Sequence, residues 1–146
     1  MADDRGVVAH RRPSALAAVA VGGAIGTLGR YGVGLWCPAS PDSWPVGTFA
    51  VNIAGAFVLG LLLEALLRTG ADTGRRYLLR LAAGTGMLGA FTTYSTFAVD
   101  VVSLVRDGSP VLAASYAAAS VLLGLCAAGL GIAVGARIAG GRGCLR

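Results

Sequence analysis

The chain contains four long apolar runs, each long enough to cross a lipid bilayer as a helix. The hydrocarbon core of a bilayer is about 30 Å thick, and a helix needs about 20 apolar residues to cross it. Hydrophobic residues make up 55% of the sequence and charged residues 13%, against about 25% charged residues in soluble domains. We therefore predict an all-α integral membrane protein with one four-helix domain. The predicted spans are about 14–36, 46–67, 78–105 and 111–139, with polar tails over 1–13 and 140–146.

The third run carries a stretch, Gly84–Phe97, that is poorly suited to an unbroken lipid-facing helix. Gly84, Gly86 and Gly89 lower helix propensity, and a cluster of hydroxylated residues follows them. Hydrocarbon offers no hydrogen bonds to freed backbone groups, so a break survives there only where protein, water or an ion satisfies them. We expect a third helix broken at its centre, which is a candidate ion-handling element. The alternative is that these small and hydroxylated residues only allow close helix packing.

The other spans also contain polar side chains, and two of these, Asn52 and Arg30, have alternative interpretations. Thr48 and Asn52 are four residues apart and share a helix face. A membrane asparagine either bonds helices together or offers its NH2 group to a passing anion. Arg30 either extends from the first span to the interface or attracts anions at a pore mouth. Tyr116 and Ser120 share a face of the fourth span.

Small residues also recur at a spacing that favours close helix packing. Gly22 with Gly26, and Gly131 with Gly135, form small-xxx-small pairs in the first and fourth spans. Gly55 in the second span is expected to let a neighbouring element pack beside it. At the end of that span, Glu64 and Arg68 are placed for an ion pair one helical turn apart.

The charge distribution predicts the orientation of the chain. The net charge of +5 comes entirely from arginine, because the chain has no lysine. The N-terminal tail has three arginines, the first loop none, the second loop four, the third one, and the C-terminal segment three. By the positive-inside rule, both termini and the second loop are cytoplasmic. Because these arginines flank spans, nucleic acid is not an expected partner. Three widely spaced cysteines and one histidine predict neither a disulfide framework nor a zinc site.

Taken together, these motifs resemble the small four-helix fluoride channels called Fluc or CrcB. The resemblance covers nearly the whole chain from Gly22 to Ser120. Its most specific block is the one from Gly89 to Phe97, whereas the glycine pairs alone would be a weak signal. The matching blocks are Gly22-Gly23-Ala-Ile-Gly26 with Arg30-Tyr31, Gly47-Thr48-Phe-Ala-Val-Asn52-Ile-Ala-Gly55, Gly89-Ala-Phe-Thr92-Thr93-Tyr94-Ser95-Thr96-Phe97, and Tyr116 with Ser120.

The resemblance implies that two subunits pack antiparallel across the membrane, with fluoride pathways along their interface and a structural sodium ion at the centre. It implies that backbone carbonyls of Gly89 and Thr92 hold the sodium ion, and that Arg30 lies at a vestibule. Neutral amide, hydroxyl and aromatic-edge donors replace the water around fluoride without trapping the ion. The implied fluoride pathway consists of Thr48, Asn52, Tyr94, Ser95, Phe97, Tyr116 and Ser120.

The sequence departs from the family pattern at three positions. Tyr94 stands where the family usually has phenylalanine, which leaves the contribution of that pore open; Ala90 and Asp100 replace a usual glycine and glutamate. The arginine bias is a further oddity, because a homodimer of opposed subunits needs a chain that inserts both ways. We hypothesise that this chain pairs with a related subunit of opposite orientation, and a homodimer is the alternative.

The sequence thus predicts a channel that exports fluoride passively across the plasma membrane, and no enzyme. No nucleotide-binding loop, paired nucleophile and base, or metal-ligand cluster is recognisable. One alternative is a small proton-coupled multidrug exporter, which would want a membrane-embedded carboxylate that the first span lacks. The other is a non-conducting structural subunit, in which the polar faces of Asn52, Tyr116 and Ser120 only hold helices together.

Overall fold

The computed structural model describes residues 13–38, 43–68 and 70–141, and over these residues the chain is almost entirely helical. Four segments are long and apolar enough to cross a membrane, which confirms the predicted four-span helical architecture. The predicted tails fall on 1–13 and 140–146, of which 1–12 and 142–146 lie outside the described residues. The helices are α1 (Pro13–Trp36), α2 (Val46–Arg68), α3 (Gly74–Leu79), a π-helical segment (Arg80–Leu88), α4 (Gly89–Phe91), α5 (Tyr94–Arg106) and α6 (Pro110–Gly141).

The third span is built from several helical pieces and is interrupted near its middle. It runs from Gly74 to Arg106, so it begins four residues before the predicted position 78. Thr92 (φ −76°, ψ 159°) and Thr93 (φ −149°, ψ 122°) are extended and separate α4 from α5. The predicted central break is therefore confirmed. The π-helical segment Arg80–Leu88 is an addition that the glycine pattern did not reveal.

The first span packs against the π-helical segment with the two backbones in direct contact. A Cβ atom at Gly22 would overlap the carbonyl oxygen of Ala82, and one at Gly26 would overlap that of Met87. These neighbours are backbone atoms, which cannot rotate away as a side chain does. The predicted close-packing role of this glycine pair is confirmed, and it fixes the third span against α1.

A second close contact joins α2 to α6. A Cβ atom at Gly131 would overlap the carbonyl oxygen of Phe57, and one at Gly135 would lie 2.8 Å from that of Leu61. This confirms the second glycine pair. The predicted ion pair between Glu64 and Arg68 also forms at the end of α2. The glycine contacts fix the α2 backbone against α6, so the polar residues of α2 have a defined position.

The Gly131 contact generates a stability prediction. Gly131→Ala should lower the free energy of unfolding by about 1–3 kcal/mol, because the added methyl group must push apart two packed backbones. Thermal unfolding of the purified protein in detergent measures the change. Gly129→Ala is the matched control, because no atom lies within 4 Å of a Cβ at that position of the same helix. Equal destabilisation by both variants would contradict the assigned packing contact.

Candidate ion pathway

The break in the third span is held open by one side chain from α2. Asn52 Nδ2 donates a hydrogen bond to the carbonyl oxygen of Thr93 at 2.9 Å, and Asn52 Oδ1 accepts one from the Thr93 N–H at 2.8 Å. A single amide thus satisfies both backbone groups of an extended residue, as a neighbouring strand would in a sheet. Asn52 therefore joins two helices and also fixes the conformation of the break.

Thr93 then starts α5 as its N-cap residue. Its Oγ1 accepts a hydrogen bond from the Thr96 N–H at 3.1 Å and donates one to Thr96 Oγ1 at 3.0 Å, while Ser95 Oγ lies 3.2 Å away. Thr93 is only 7% exposed. The sequence analysis did not single out Thr93 as a site residue. A threonine three residues before a second hydroxyl residue, at a helix start, is the signal that could have identified it.

Thr92, the other residue of the break, packs towards α2. Its N–H and its Oγ1 both donate to the carbonyl oxygen of Leu88, at 3.0 and 2.9 Å. Its methyl group occupies the space that a Cβ at Gly55 would need. Gly55 therefore has the close-packing role predicted for it, because the absence of a side chain leaves room for the Thr92 methyl group.

The sequence resemblance implies that the carbonyl groups of Gly89 and Thr92 hold a sodium ion. Gly89 begins α4, and Thr92 follows α4 as the first residue of the break. In a continuous α-helix each carbonyl accepts from the amide four residues later. The helical partner of the Gly89 carbonyl would be the Thr93 amide, which donates to Asn52 Oδ1 instead. The helical partner of the Thr92 carbonyl would be the Thr96 amide, which donates to Thr93 Oγ1 instead. Both carbonyls are therefore released from the regular helical pattern. Within the described residues, no group of three or more His, Cys, Asp or Glu side chains could hold a metal ion.

A groove of about 390 Å³ runs along one side of the break, and we call it the Asn52 groove. Tyr94 is 80% exposed along it. The Oγ of Ser120 is buried and has no hydrogen-bond partner within the described part of the chain. The structure thus brings four of the predicted pathway residues to one groove. Its polar and aromatic lining residues are Asn52, Thr92, Thr93, Tyr94, Phe97 and Ser120.

From Tyr94 and Phe97 in this groove, aromatic rings form a continuous row to Trp44. The ring centroids of Tyr94 and Phe97 are 5.9 Å apart, those of Phe97 and Tyr116 are 5.4 Å apart, and those of Tyr116 and Trp44 are 5.5 Å apart. Tyr116 is fully buried, and its hydroxyl donates to Asp100 Oδ2 at 3.3 Å. Trp44, which was not among the predicted site residues, meets Tyr116 edge to face at 88°.

A second cavity, of about 420 Å³, lies on the other side of Thr93, and we call it the Arg30 cavity. Arg30, Thr48 and Asp100 line it, as do Thr93 and Thr96. Thr48 is therefore one turn from Asn52 on α2 but faces a different space. The predicted residues divide between the two cavities, which share Thr93 as a lining residue. Tyr116 is fully buried and lines neither cavity, and Ser95 is exposed beside the break.

Comparison with known proteins agrees with this geometry. The family described as "CrcB-like protein, Camphor Resistance (CrcB)" matches residues 17–132. "Fluoride-specific ion channel FluC 2" of Leifsonia xyli is 46% identical over 139 residues, covering 94% of this chain and 91% of that protein. "Fluoride-specific ion channel FluC" of Agrobacterium fabrum is 44% identical over 122 residues, covering 82% and 94%. "Fluoride-specific ion channel FluC 3" of Streptomyces avermitilis is 46% identical over 124 residues, covering 85% and 59%.

The family match spans all four helical segments and includes the break. The matched range 17–132 contains Asn52 and Thr93. The chain therefore belongs to the CrcB family.

Proposed function

We propose that this chain is a fluoride-specific ion channel subunit through which fluoride leaves the cell passively, rather than an enzyme. The observation that carries the proposal is the Asn52 groove, where an amide, a hydroxyl and aromatic edges line one path beside a broken membrane helix. Two relatives named as fluoride-specific ion channels are 46% and 44% identical to this chain over 139 and 122 residues. The established membrane architecture agrees with a channel in the plasma membrane.

The groove has donors of the kind that a small, strongly hydrated anion needs. Asn52 uses one hydrogen of its NH2 group on Thr93, so the second is available to an ion. Ser120 has a hydroxyl without a partner in the described residues. The edges of Tyr94 and Phe97 carry positive partial charge. Because all of these donors are neutral, they replace water around fluoride without a charge that would retain it.

Arg30 and Asp100 have a different role, because they line the separate Arg30 cavity. A guanidinium there raises the local concentration of anions. The Asp100 carboxylate accepts a hydrogen bond from the buried Tyr116 hydroxyl. We assign the Arg30 cavity as the vestibule and the Asn52 groove as the narrow part of the pathway, with Thr93 between them.

A second subunit is part of the proposal, because the groove is only one wall of a pathway. Tyr94 is 80% exposed, and Gly89 and Ser95 are exposed next to it at the break. We propose that a second subunit packs antiparallel on this face and completes the pathway. The arginine bias favours a related subunit of opposite orientation, with the termini of this chain in the cytoplasm; a homodimer is the alternative partner arrangement.

A sodium ion is the last part of the proposal. The released carbonyls of Gly89 and Thr92 are uncharged oxygen donors, which suit a hard monovalent cation. When bound, the ion would satisfy these carbonyls at membrane depth and join the break of one subunit to that of its partner. Asn52 and Thr93 would act on this site indirectly, because they hold the amides that would otherwise bond the two carbonyls.

Fluoride efflux from liposomes tests the proposed activity. We expect liposomes that contain the purified chain to release fluoride rapidly and to retain chloride, as measured with ion-selective electrodes after the membrane potential is collapsed. Release by the chain alone would establish a homodimer. Release only after a related opposite-orientation subunit is added would establish the heterodimer. Retention of fluoride under both conditions would overturn the channel proposal.

The sodium proposal predicts a distinct effect of Asn52→Ala. Loss of Oδ1 frees the Thr93 N–H to return to the Gly89 carbonyl, so the variant should lose both fluoride flux and the stabilisation that sodium confers on the dimer. Loss of the two hydrogen bonds should also lower the free energy of unfolding by about 1–3 kcal/mol. Thermal unfolding in sodium and in a large organic cation such as N-methyl-D-glucamine measures the sodium effect.

Thr48→Val is the matched control for Asn52→Ala. It removes a hydroxyl one turn away on the same helix but leaves the break hydrogen bonds intact. We expect it to retain the sodium-dependent shift. If Asn52→Ala kept the same shift as Thr48→Val, Asn52 would have no effect on the cation site, and the indirect role assigned to it would be wrong.

A further inference from the structure

A third cavity lies away from the ion pathway, at the end of α2 and the start of the third span. Its volume is about 300 Å³, and we call it the Arg76 cavity. One wall is apolar and consists of Leu63, Leu66 and Leu67, which share a face of the last turns of α2. The opposite wall is basic and consists of Arg76 and Arg80, which are four residues apart on the third span. The cavity therefore places two guanidinium groups opposite an apolar surface where a membrane span ends.

The structure holds the Arg80 guanidinium in place and leaves space for that of Arg76. Gly70 has a φ of 130°, and a Cβ atom there would overlap the Arg76 guanidinium, so the glycine leaves the space that this group occupies. Arg80 Nη2 lies 2.8 Å from Asp72 Oδ2, and the Arg80 guanidinium lies 5.6 Å from the centre of the Tyr77 ring. A ligand would therefore meet an Arg80 side chain whose rotational entropy is already partly lost.

The charges around the cavity do not balance. The Arg80 guanidinium is paired with Asp72. Arg76 has no ion pair within the described residues, and Asp72 is the only carboxylate among the residues that line the cavity. One positive charge therefore remains, and it lies beside leucine side chains. A ligand that matches this site carries one negative charge and an apolar chain.

We propose that the Arg76 cavity binds an anionic phospholipid, with the phosphodiester at Arg76 and Arg80 and an acyl chain along the leucine wall. Arginine binds phosphate oxygens through paired N–H groups, and basic residues at the ends of spans attract anionic lipids of the cytoplasmic leaflet. The predicted cytoplasmic position of this loop agrees with that leaflet. The site is separate from the fluoride pathway and does not depend on it.

Lipid titration of the purified full chain in detergent tests the site. Dioleoyl phosphatidylglycerol should raise the unfolding temperature in a saturable way, as expected for a ligand that binds the folded state. Dioleoyl phosphatidylcholine and inorganic phosphate, each at the same concentration, should have little effect. Arg76→Gln should weaken the apparent affinity for phosphatidylglycerol about tenfold, the loss expected for a charged hydrogen bond, and Arg76→Lys should restore part of it.

Arg75→Gln is the matched control, because Arg75 is exposed in the same segment and does not line the cavity. It should leave the apparent affinity unchanged. Equal weakening by Arg75→Gln and Arg76→Gln would reduce the effect to general surface charge and overturn the proposal. Stabilisation by inorganic phosphate that matched phosphatidylglycerol would also overturn it, because the leucine wall would then have no role. Equal stabilisation by phosphatidylcholine would exclude recognition of the anionic headgroup.

Discussion

The double hydrogen bond between Asn52 and Thr93 is the interaction on which the site depends. Two extended residues in a membrane helix leave backbone groups without their helical partners, and in hydrocarbon each such group costs several kcal/mol. Asn52 satisfies both groups of Thr93, at 2.8 and 2.9 Å. The break is therefore a stable element of the fold. The glycine contacts that fix α2 against α6 also keep Asn52 at the height of the break.

Some of this arrangement was predictable from local sequence, and some was not. The glycines and hydroxyl residues between Gly84 and Phe97 predict where the third helix weakens, because helix propensity and side-chain hydrogen bonding are local properties. The partner of Asn52 was not predictable, because Thr93 lies 41 residues away and only tertiary packing brings the two together. The contact of Trp44 with Tyr116 was not predictable either, because these residues are also far apart in the sequence. The π-helical segment, which packs directly against the backbone of α1, was likewise not predicted.

The position of Thr93 connects the two cavities to the backbone of the break. Its side chain caps α5, its backbone pairs with Asn52, and it lines both the Asn52 groove and the Arg30 cavity. A change in any one of these contacts alters the others, because one residue makes them all. In the proposed channel, Thr93 lies between the vestibule and the narrow pathway. The same residue leaves the Gly89 carbonyl without its helical partner, because its N–H donates to Asn52. The geometry of the proposed pathway and that of the proposed cation site therefore both depend on Thr93.

Exposure at the break supports the proposed second subunit on energetic grounds. Exposed leucine and valine side chains on these helices are compatible with lipid, so apolar exposure alone does not require a partner. Ser95, Thr96 and Gly89 are different, because they are exposed near the middle of the third span. The Ser95 and Thr96 hydroxyls contact Thr93 Oγ1, but a released Gly89 carbonyl that faced hydrocarbon would remain unsatisfied there. A second subunit that brings its own break to this face would cover them with polar groups of the same kind, whereas lipid would not.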